Sequence, residues 1–303
     1  DVLQYTDEPF ADSSAINVYI LSKETRKHAT VALSGDGADE LLGGYNKHEA
    51  FYRMLNPGWQ ETAIALAGPL WKRLPRSRNN SLANGVRQAL RFAEGFKLTP
   101  ADRYWRWATF TDLDEARSLL APVVIGRFVV DTFEQRKQEM LTNIYSGNSM
   151  DNILRTDIEL VLANDMLVKV DLMSMANGLE VRSPFLDYEV VEFACSLPDD
   201  FKITKGRRKR ILQDAFRDML PARLYNRPKK GFEVPMLGWL RHELRERIED
   251  DLLSKRHIEE QGLFNYHEVD RLKKKLFSNN PGDVPARIWG LVVFQSWFKK
   301  YLN

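Results

Sequence analysis

Apolar and polar positions follow a helical period along most of this chain. Residues 15–27 have that spacing, and residues 151–178 carry the longest such pattern. We expect Asp151 to cap this long helix and Asn177-Gly178 to end it. The pattern is helical again from residue 207 onward. The sequence therefore predicts a predominantly helical chain.

One short segment departs from the helical pattern. Thr30-Val31-Ala32-Leu33 is apolar and partly β-branched, and a glycine-rich run follows it, which predicts a buried strand. Ala38 to Leu42 predicts a short helix, and Gly43-Gly44 would end it. This strand–loop–helix unit is the clear α/β signal of the chain.

Three regions follow from these patterns. Residues 1–50 hold the α/β unit, residues 51–150 predict several short helices, and residues 151–303 predict a helical C-terminal part. A complete α/β domain would alternate strands and helices, so we expect the chain, which opens at Asp1 without a methionine, to be a fragment. A sheet that has lost strands exposes apolar edges, which favours association, and a homodimer is one form this could take.

Charge and composition exclude several classes of protein. The chain has 44 basic and 42 acidic residues, a net charge of +2, which does not favour nucleic acid or an anionic membrane as partner. The basic stretch 72–91 and the cluster Arg207 to Arg210 are expected to be solvated faces. The longest apolar run is shorter than the roughly 18 residues of a membrane span. Cys195, a single cysteine, excludes a disulfide framework, favours the cytoplasm and is expected to be buried.

The segment Ser34 to Glu40 holds the clearest candidate chemistry. Its serine and glycines let backbone N–H groups approach an anion closely, and a helix begins directly after them. The same segment holds three carboxylates, which repel phosphate unless Mg²⁺ lies between them, so it predicts a Mg²⁺–nucleotide site. A tight turn that starts a helix would use the same residues. A Walker-type loop is excluded, because no Gly-Lys-Ser/Thr is present.

Four collinear stretches resemble motifs of the asparagine synthetase family. The run Leu33 to Asn46, Leu-Ser-Gly-Asp-Gly-Ala-Asp-Glu-Leu-Leu-Gly-Gly-Tyr-Asn, resembles the family signature. Asp7 to Ser14 resembles its Asp-Glu-Pro-Phe-Ala-Asp-Ser-Ser loop. Leu179 to Asp187 and Arg227 to Pro235 resemble two further segments in the expected order. Together these matches span most of the chain.

The resemblance implies an α/β fold of the adenine-nucleotide α-hydrolase-like type, that of the PP-loop ATPases, predominantly helical in this fragment. It implies ATP and Mg²⁺ as cofactors and aspartate as substrate, whose β-carboxylate becomes β-aspartyl-AMP with release of pyrophosphate. Ammonia then gives asparagine. In the family that ammonia comes from glutamine, through an N-terminal glutaminase domain that this chain lacks.

The resemblance also assigns the nucleotide contacts. Ser34 and Gly35 match positions that contact ATP, and Gly37 belongs to the same ATP-binding loop. Asp39 matches the position of a Mg²⁺ ligand.

Three catalytic positions are implied in the same way. Asp36 matches the acidic position associated with forming the aspartyl-AMP, where some members carry Glu. Lys229 matches the lysine that stabilises the departing pyrophosphate, and Asp165 matches an acidic position that faces the intermediate. Arg182 and Asp187 are interpreted as structural, an internal ion pair and a helix cap.

Two departures keep other functions open. The family's Ser-Gly-Gly-x-Asp-Ser phosphate loop and its glutaminase cysteine are absent, so we expect these 303 residues alone to be weakly competent at most. Related amidotransferases, β-lactam synthetases and lasso-peptide cyclases use the same adenylation on other carboxylates. A catalytically inactive helical binding module is the alternative of a different class, and nucleic-acid binding is disfavoured by the charge balance.

Overall fold

The computed structural model describes residues 2–76, 81–127, 130–225 and 231–302. Over these ranges the chain is mostly helical, with two small sheets. The elements of the first half are α1 (Ser14–Arg26), β1 (Val31–Leu33), α2 (Ala38–Leu42), α3 (Asn46–Leu55), α4 (Trp59–Leu66), α5 (Gly68–Arg73), α6 (Ser81–Phe96), α7 (Pro100–Ala108), α8 (Leu113–Ser118), α9 (Pro122–Ile125), α10 (Val130–Met140) and α11 (Thr142–Ser146).

The second half begins with one long, composite helical run. Its elements are α12 (Met150–Thr156), a π-helix (Asp157–Met166), α13 (Leu167–Met175), β2 (Glu180–Arg182), α14 (Tyr188–Ser196), α15 (Asp199–Lys202), β3 (Ile203–Thr204), β4 (Arg207–Arg208), α16 (Arg210–Ala215), α17 (Met236–Arg241), a second π-helix (Arg247–Leu252), α18 (Lys255–Gln261), α19 (Tyr266–Leu276) and α20 (Val284–Tyr301). Short 3₁₀ turns lie at Val2–Gln4, Pro184–Leu186 and Ala222–Leu224.

The main sheet is one parallel pair. Strand β1 pairs with β2 in the register Val31 to Glu180 and Leu33 to Arg182. The predicted strand is therefore confirmed in position, but the prediction that it is buried is wrong. The side chains of Val31 and Leu33 share one face of the strand, and these residues are 42% and 74% exposed. Parallel sheets are ordinarily covered on both faces, so this face is open.

Hydrophobic packing divides the helices into three clusters. One lies around α20 and the helices that precede it, with Leu240, Ile248, Ile258, Leu272 and Ile288 among its members. A second joins α3, α7 and α12 around Phe51, Tyr104, Met150 and Ile153. A third, small cluster holds α2 against α14 through Leu41, Leu42 and Ala194. The α/β unit thus rests on the helices that follow it in the chain.

The long helical pattern at 151–178 is confirmed in extent but not in detail. The Oγ of Ser149 accepts from the backbone N–H of Asn152 and caps the helix in place of Asp151. Asp151 is the second residue of α12, and its carboxylate is 2.7 Å from the Lys202 amine. The middle of the run is a π-helix, which hydrophobic period alone does not reveal. The run stops where expected, since Gly178 has a left-handed φ of 66°.

Two expected surface features are different in the structure. Arg91, in the basic stretch expected to be solvated, is partly buried and donates to the carbonyls of Arg106 and Thr109. Arg182 pairs with Glu180 at 2.7 Å in an exposed position, so the expected internal ion pair is wrong. Both errors arise because sequence spacing does not show which side of an element the neighbouring helices cover.

Other expectations hold more closely. Asp187 caps α14, since its carboxylate accepts from the Glu189 N–H at 3.0 Å. Cys195 is half-buried rather than fully buried and packs against the third cluster. Within the described residues, no helix combines the length and the apolar character that crossing a membrane requires.

The open face of β1 predicts self-association. Replacing Val31 and Leu33 together by threonine keeps the β-propensity of the strand and removes apolar surface. We expect sedimentation velocity to show concentration-dependent association of the wild-type protein and less of it for the double variant. Leu66→Thr, which changes a residue that is 78% exposed on α4, is the control. Equal association of all three proteins would contradict a role for this face.

Candidate functional site

The loop after β1 lies at the carboxyl edge of the parallel sheet. The Ser34 N–H donates to the Arg182 carbonyl at 2.8 Å, and its Oγ is 2.8 Å from the Oγ of Ser183. The loops that follow β1 and β2 therefore meet at one edge. Ligands of open α/β sheets bind at this edge.

Two glycines shape the loop differently. Gly37 has a φ of 89°, and a Cβ at this position would lie 2.3 Å from a methyl carbon of Leu186. A side chain is therefore excluded there by both conformation and space. At Gly35, by contrast, a Cβ would meet no atom of the described residues within 4 Å. The backbone of Gly35 thus faces open space that a ligand could fill.

Asp39 is held by a lysine from a distant part of the chain. Its Oδ1 is 3.0 Å from the Nζ of Lys209, whose backbone N–H donates to the Leu42 carbonyl at 3.1 Å. Gly44 leaves room for this pair, because a Cβ there would lie 1.7 Å from the Asp39 oxygen and 2.3 Å from the Lys209 Cε. Lys209 belongs to the basic cluster that was expected to be solvated, so for this residue the expectation is wrong.

Glu40, the third carboxylate of the segment, points into the protein. It is 1% exposed and accepts a hydrogen bond from the Tyr45 hydroxyl. Burial raises the pKa of Glu40, the Tyr45 hydrogen bond opposes that rise, and the negative charges of Asp39 and Asp157 add to it. Glu40 is therefore part of the support behind the loop.

A buried carboxylate, Asp157, anchors the helices behind the loop. Asp157 is fully buried and accepts from the Lys47 amine at 2.7 Å, from His48 Nε2 at 2.6 Å and from the Tyr104 hydroxyl. Burial alone would raise the pKa of Asp157, but the Lys47 charge and the His48 hydrogen bond outweigh it and lower that pKa to about 2. The π-helix that carries Asp157 packs against α2, which carries Asp39.

Asp165 lies further along the same π-helix, in a group of like and opposite charges. Lys169 is 6% exposed, and its Nζ is 2.7 Å from Oδ2 of Asp12. Burial and the negative charge of Asp12 raise the pKa of Asp165 to about 6, while Lys169 and Lys47 act in the opposite direction. Burial would also raise the pKa of Asp12, but the Lys169 ammonium lowers it. Of the two carboxyl groups, Asp165 is therefore the one that keeps a proton to the higher pH.

A cleft of about 510 Å³ opens beside Asp165. Asp12, Glu233 and Trp289 line it together with Asp165 and with apolar side chains such as Phe10 and Phe110. The Asp165 Oδ1 is buried and has no hydrogen-bond partner among the described residues. A buried carboxyl oxygen without a partner is a feature of sites that complete themselves with a ligand or a water.

The structure describes all of the expected site residues except Lys229. Ser34, Gly35, Asp36 and Gly37 form the single loop after β1, and Asp39 is the second residue of α2. Asp165 is on the π-helix that packs against α2, but no residue from Ser34 to Asp39 lines the cleft beside Asp165. Lys229 lies outside the described residues.

Four residues of this region were missed in the sequence: Lys47, Asp157, Lys169 and Lys209. Each is charged and lies in a helical or basic stretch, where solvation is the usual outcome. Asp12 had a signal, since it stands in the Asp7–Ser14 stretch, but no role was attached to it.

Comparison with known proteins gives the family. The family model for asparagine synthase matches residues 1–299, and the chain belongs to this family. The glutamine-hydrolyzing asparagine synthetase 1 of Bacillus subtilis strain 168 is 31% identical over 98% of this chain and 44% of its own length. A putative glutamine-hydrolyzing asparagine synthetase of Mycobacterium tuberculosis strain H37Rv is 32% identical over 98% of this chain and 43% of its own.

Relatives of lower identity include proteins named as amidases. The amidase chyE of Penicillium rubens is 21% identical over 92% of this chain and 43% of its own length. The chain thus spans less than half the length of these three relatives.

Removing the Asp157 charge is predicted to destabilise the fold strongly. Asp157→Asn leaves Lys47 and His48 without their buried anion, and we expect the free energy of unfolding near neutral pH to fall by about 3 kcal/mol or more. Because the pKa of Asp157 in the folded protein is about 2, below its ordinary 3.8, the wild-type contribution should be lost as the pH falls through that interval. Urea titrations measure both effects.

Glu159→Gln is the matched control, because it neutralises an exposed carboxylate on the same π-helix. We expect a change within about 0.5 kcal/mol for this variant. A comparable loss in both variants would argue against a special role for the buried carboxylate.

Asp165→Asn is predicted to act in the opposite direction. The folded protein keeps a proton on Asp165 between pH 3.8 and about 6, where the unfolded chain has released it. Stability from this group is therefore present at low pH and is lost as the pH rises through that interval. We expect the variant to gain stability relative to wild type across this interval, measured by urea unfolding. Asp171→Asn, an exposed carboxylate on α13, should show no such trend.

Proposed function

We propose that the protein forms an amide in an ATP-dependent reaction, converting aspartate to asparagine. In the first step an aspartate β-carboxylate oxygen attacks the α-phosphorus of ATP, and pyrophosphate leaves. In the second step the nitrogen of ammonia attacks the acyl carbon of the β-aspartyl-AMP, and AMP leaves with the bonding electrons. Membership of the asparagine synthase family is the observation that carries the proposal.

The geometry of the β1 loop supports ATP as the nucleotide. Backbone around Gly35 faces open space, and the loop lies where parallel sheets bind ligands. Ser34 and Gly37 belong to the same turn and would bind the nucleotide with Gly35. The residues present therefore fit a nucleotide at this edge.

Mg²⁺ would be held chiefly by the nucleotide itself. Within the described residues no three histidine, cysteine or acidic side chains form a cluster that could hold a metal ion. Mg²⁺ bound with nucleotides is commonly held by one or two carboxylates plus phosphate oxygens, so one protein ligand fits this pattern. Asp39 is that ligand in our proposal. Its carboxylate would release the Lys209 amine and bind the ion in its place. The ion would neutralise phosphate charge that Asp36 and Asp39 otherwise repel.

Three residues are assigned catalytic roles. Asp36 would act in forming the aspartyl-AMP, and Lys229 would stabilise the negative charge that builds on the departing pyrophosphate. Asp165 has a pKa of about 6, close to the working range of a general base. It would take the proton released when ammonia attacks. Lys169 and Asp12 would fix the position of Asp165 in the cleft.

Glutamine as the ammonia source belongs to the same proposal. The named relatives are described as glutamine-hydrolyzing, and this chain spans 44% of the Bacillus protein. We propose that ammonia reaches this part of the protein from a glutaminase domain in the full-length gene product.

A related reaction on another carboxylate is the second candidate. The similarity to amidases of Penicillium rubens and Gibberella zeae favours it, since these relatives have a different name with comparable coverage of this chain. In that case the loop chemistry would stay the same and the acceptor would change.

Pyrophosphate release by the full-length gene product tests the proposal, with Mg-ATP, aspartate and either ammonium or glutamine. We expect aspartate-dependent release and asparagine as product. Asp36→Ala and Lys229→Ala should each lower the rate about 100-fold or more. The first removes the carboxylate assigned to forming the aspartyl-AMP, and the second removes the cation that stabilises the departing pyrophosphate.

Matched controls are Asp218→Ala and Lys275→Ala, which remove exposed charges elsewhere. They should retain the wild-type rate. Pyrophosphate release that does not depend on aspartate would reject asparagine formation and favour the second candidate. Absence of release with every carboxylate tried would reject both and favour an inactive module.

A further inference from the structure

A second cavity lies along α3, and Lys47, which contacts Asp157, is one of its lining residues. It has a volume of about 600 Å³, within the range of small-molecule sites. Residues from α3, α6 and the β3–β4 hairpin line it. Two basic stretches that are far apart in the sequence, 72–91 and 207–210, thus converge on one place. Neither stretch has a role in the proposed reaction apart from Lys209.

The wall of this cavity is cationic. Five of its described lining residues are basic, and a single one, Glu49, is acidic. The basic residues are Lys47, Arg53, Arg87, Arg91 and Arg208. An array of this kind attracts anions, and guanidinium groups in particular match the geometry of phosphate and carboxylate.

The cations are positioned by internal contacts. Arg53 Nε is 2.7 Å from Glu61, which is 0% exposed, and Lys47 is 2.7 Å from the buried Asp157. Neither carboxylate is among the residues that line the cavity, whereas both cations are. Charged side chains that are already fixed lose less conformational entropy when a ligand binds.

Contacts of the remaining arginines have the same effect. Arg87 is held by the Asn84 side-chain oxygen at 2.9 Å, and Arg208 donates to the Asn46 side chain. Glu49, the acidic lining residue, accepts from the Gly206 N–H at 3.0 Å. The Arg87 contact lies within α6, and the other two contacts join α3 to the β3–β4 hairpin.

Aromatic side chains complete the cavity. Phe92 and Trp107 line it, with their ring centroids 6.1 Å apart in a stacked arrangement. The Arg53 guanidinium lies 5.6 Å from the Phe92 centroid. A cavity with a cationic wall and an apolar floor suits a ligand that joins an anionic group to a less polar part.

We propose that this cavity binds a small phosphorylated molecule, at a site separate from the loop after β1. Several arginines can bond the phosphate oxygens, while the aromatic floor contacts the remainder of the ligand. None of the residues from Ser34 to Asp39 lines the cavity. The site therefore does not depend on the proposed reaction.

The test uses inorganic tripolyphosphate as probe, by calorimetric titration at low salt with a chelator present. Without a divalent cation, Asp36 and Asp39 repel the probe from the β1 loop, which separates the two sites. We expect binding by wild type and an affinity at least about tenfold lower in Arg208→Gln, because a charge-assisted contact is lost. Arg87→Gln should have the same effect.

Arg256→Gln is the matched control, since it removes an exposed arginine on α18. It should bind the probe like wild type, and Arg208→Lys should bind more tightly than Arg208→Gln. Thermal unfolding identifies any variant that has lost its fold. If Arg87→Gln does not fold, the comparison rests on Arg208→Gln, because Arg208 is only half-buried. No binding by wild type, or equal affinity in Arg208→Gln and Arg256→Gln, would overturn the proposal.

Discussion

The ion-pair network of Asp157 is the constraint on which the rest of the site depends. A carboxylate with no exposed surface must be fully hydrogen-bonded, and here three side chains from α3 and α7 converge on it. The network fixes the π-helix relative to α3. That helix in turn packs against α2, so the acidic loop and Asp165 have a fixed relation that no contact within the loop itself provides.

The candidate site is assembled from segments that are distant in the sequence. Ser34 meets Ser183 across the sheet, Asp39 meets Lys209, and Asp12 meets Lys169. Each pairing joins the first fifty residues to a part of the chain more than a hundred residues later. The small α/β unit therefore has little structure of its own, and the later helices supply both its packing and its counter-charges.

Sequence reasoning captured the local features of the site and missed those that depend on packing. The strand at Val31–Leu33, the short helix after it and the glycine stop at Gly43 follow from local rules, and the structure has all three. The pairing of β1 with β2 and the exposure of Leu33 depend on which elements cover the sheet. Lys209 resembles a surface lysine in the sequence, because only the folded chain brings it to Asp39. The π-helix differs from an ordinary helix by its i→i+5 hydrogen bonds, and its 10 residues make too few turns for the apolar pattern to reveal the difference.

The ion pair between Lys209 and Asp39 has a conformational cost. Among the described residues it is the non-glycine residue with positive φ, at 51°, a conformation that glycine or asparagine adopts at lower free energy. Lysine at this position therefore exchanges part of the protein's conformational stability for a cation beside the acidic loop. In such a position the most stable sequence and the most functional sequence are different, so optimising this protein for thermostability alone would tend to remove the very charge that organises its loop.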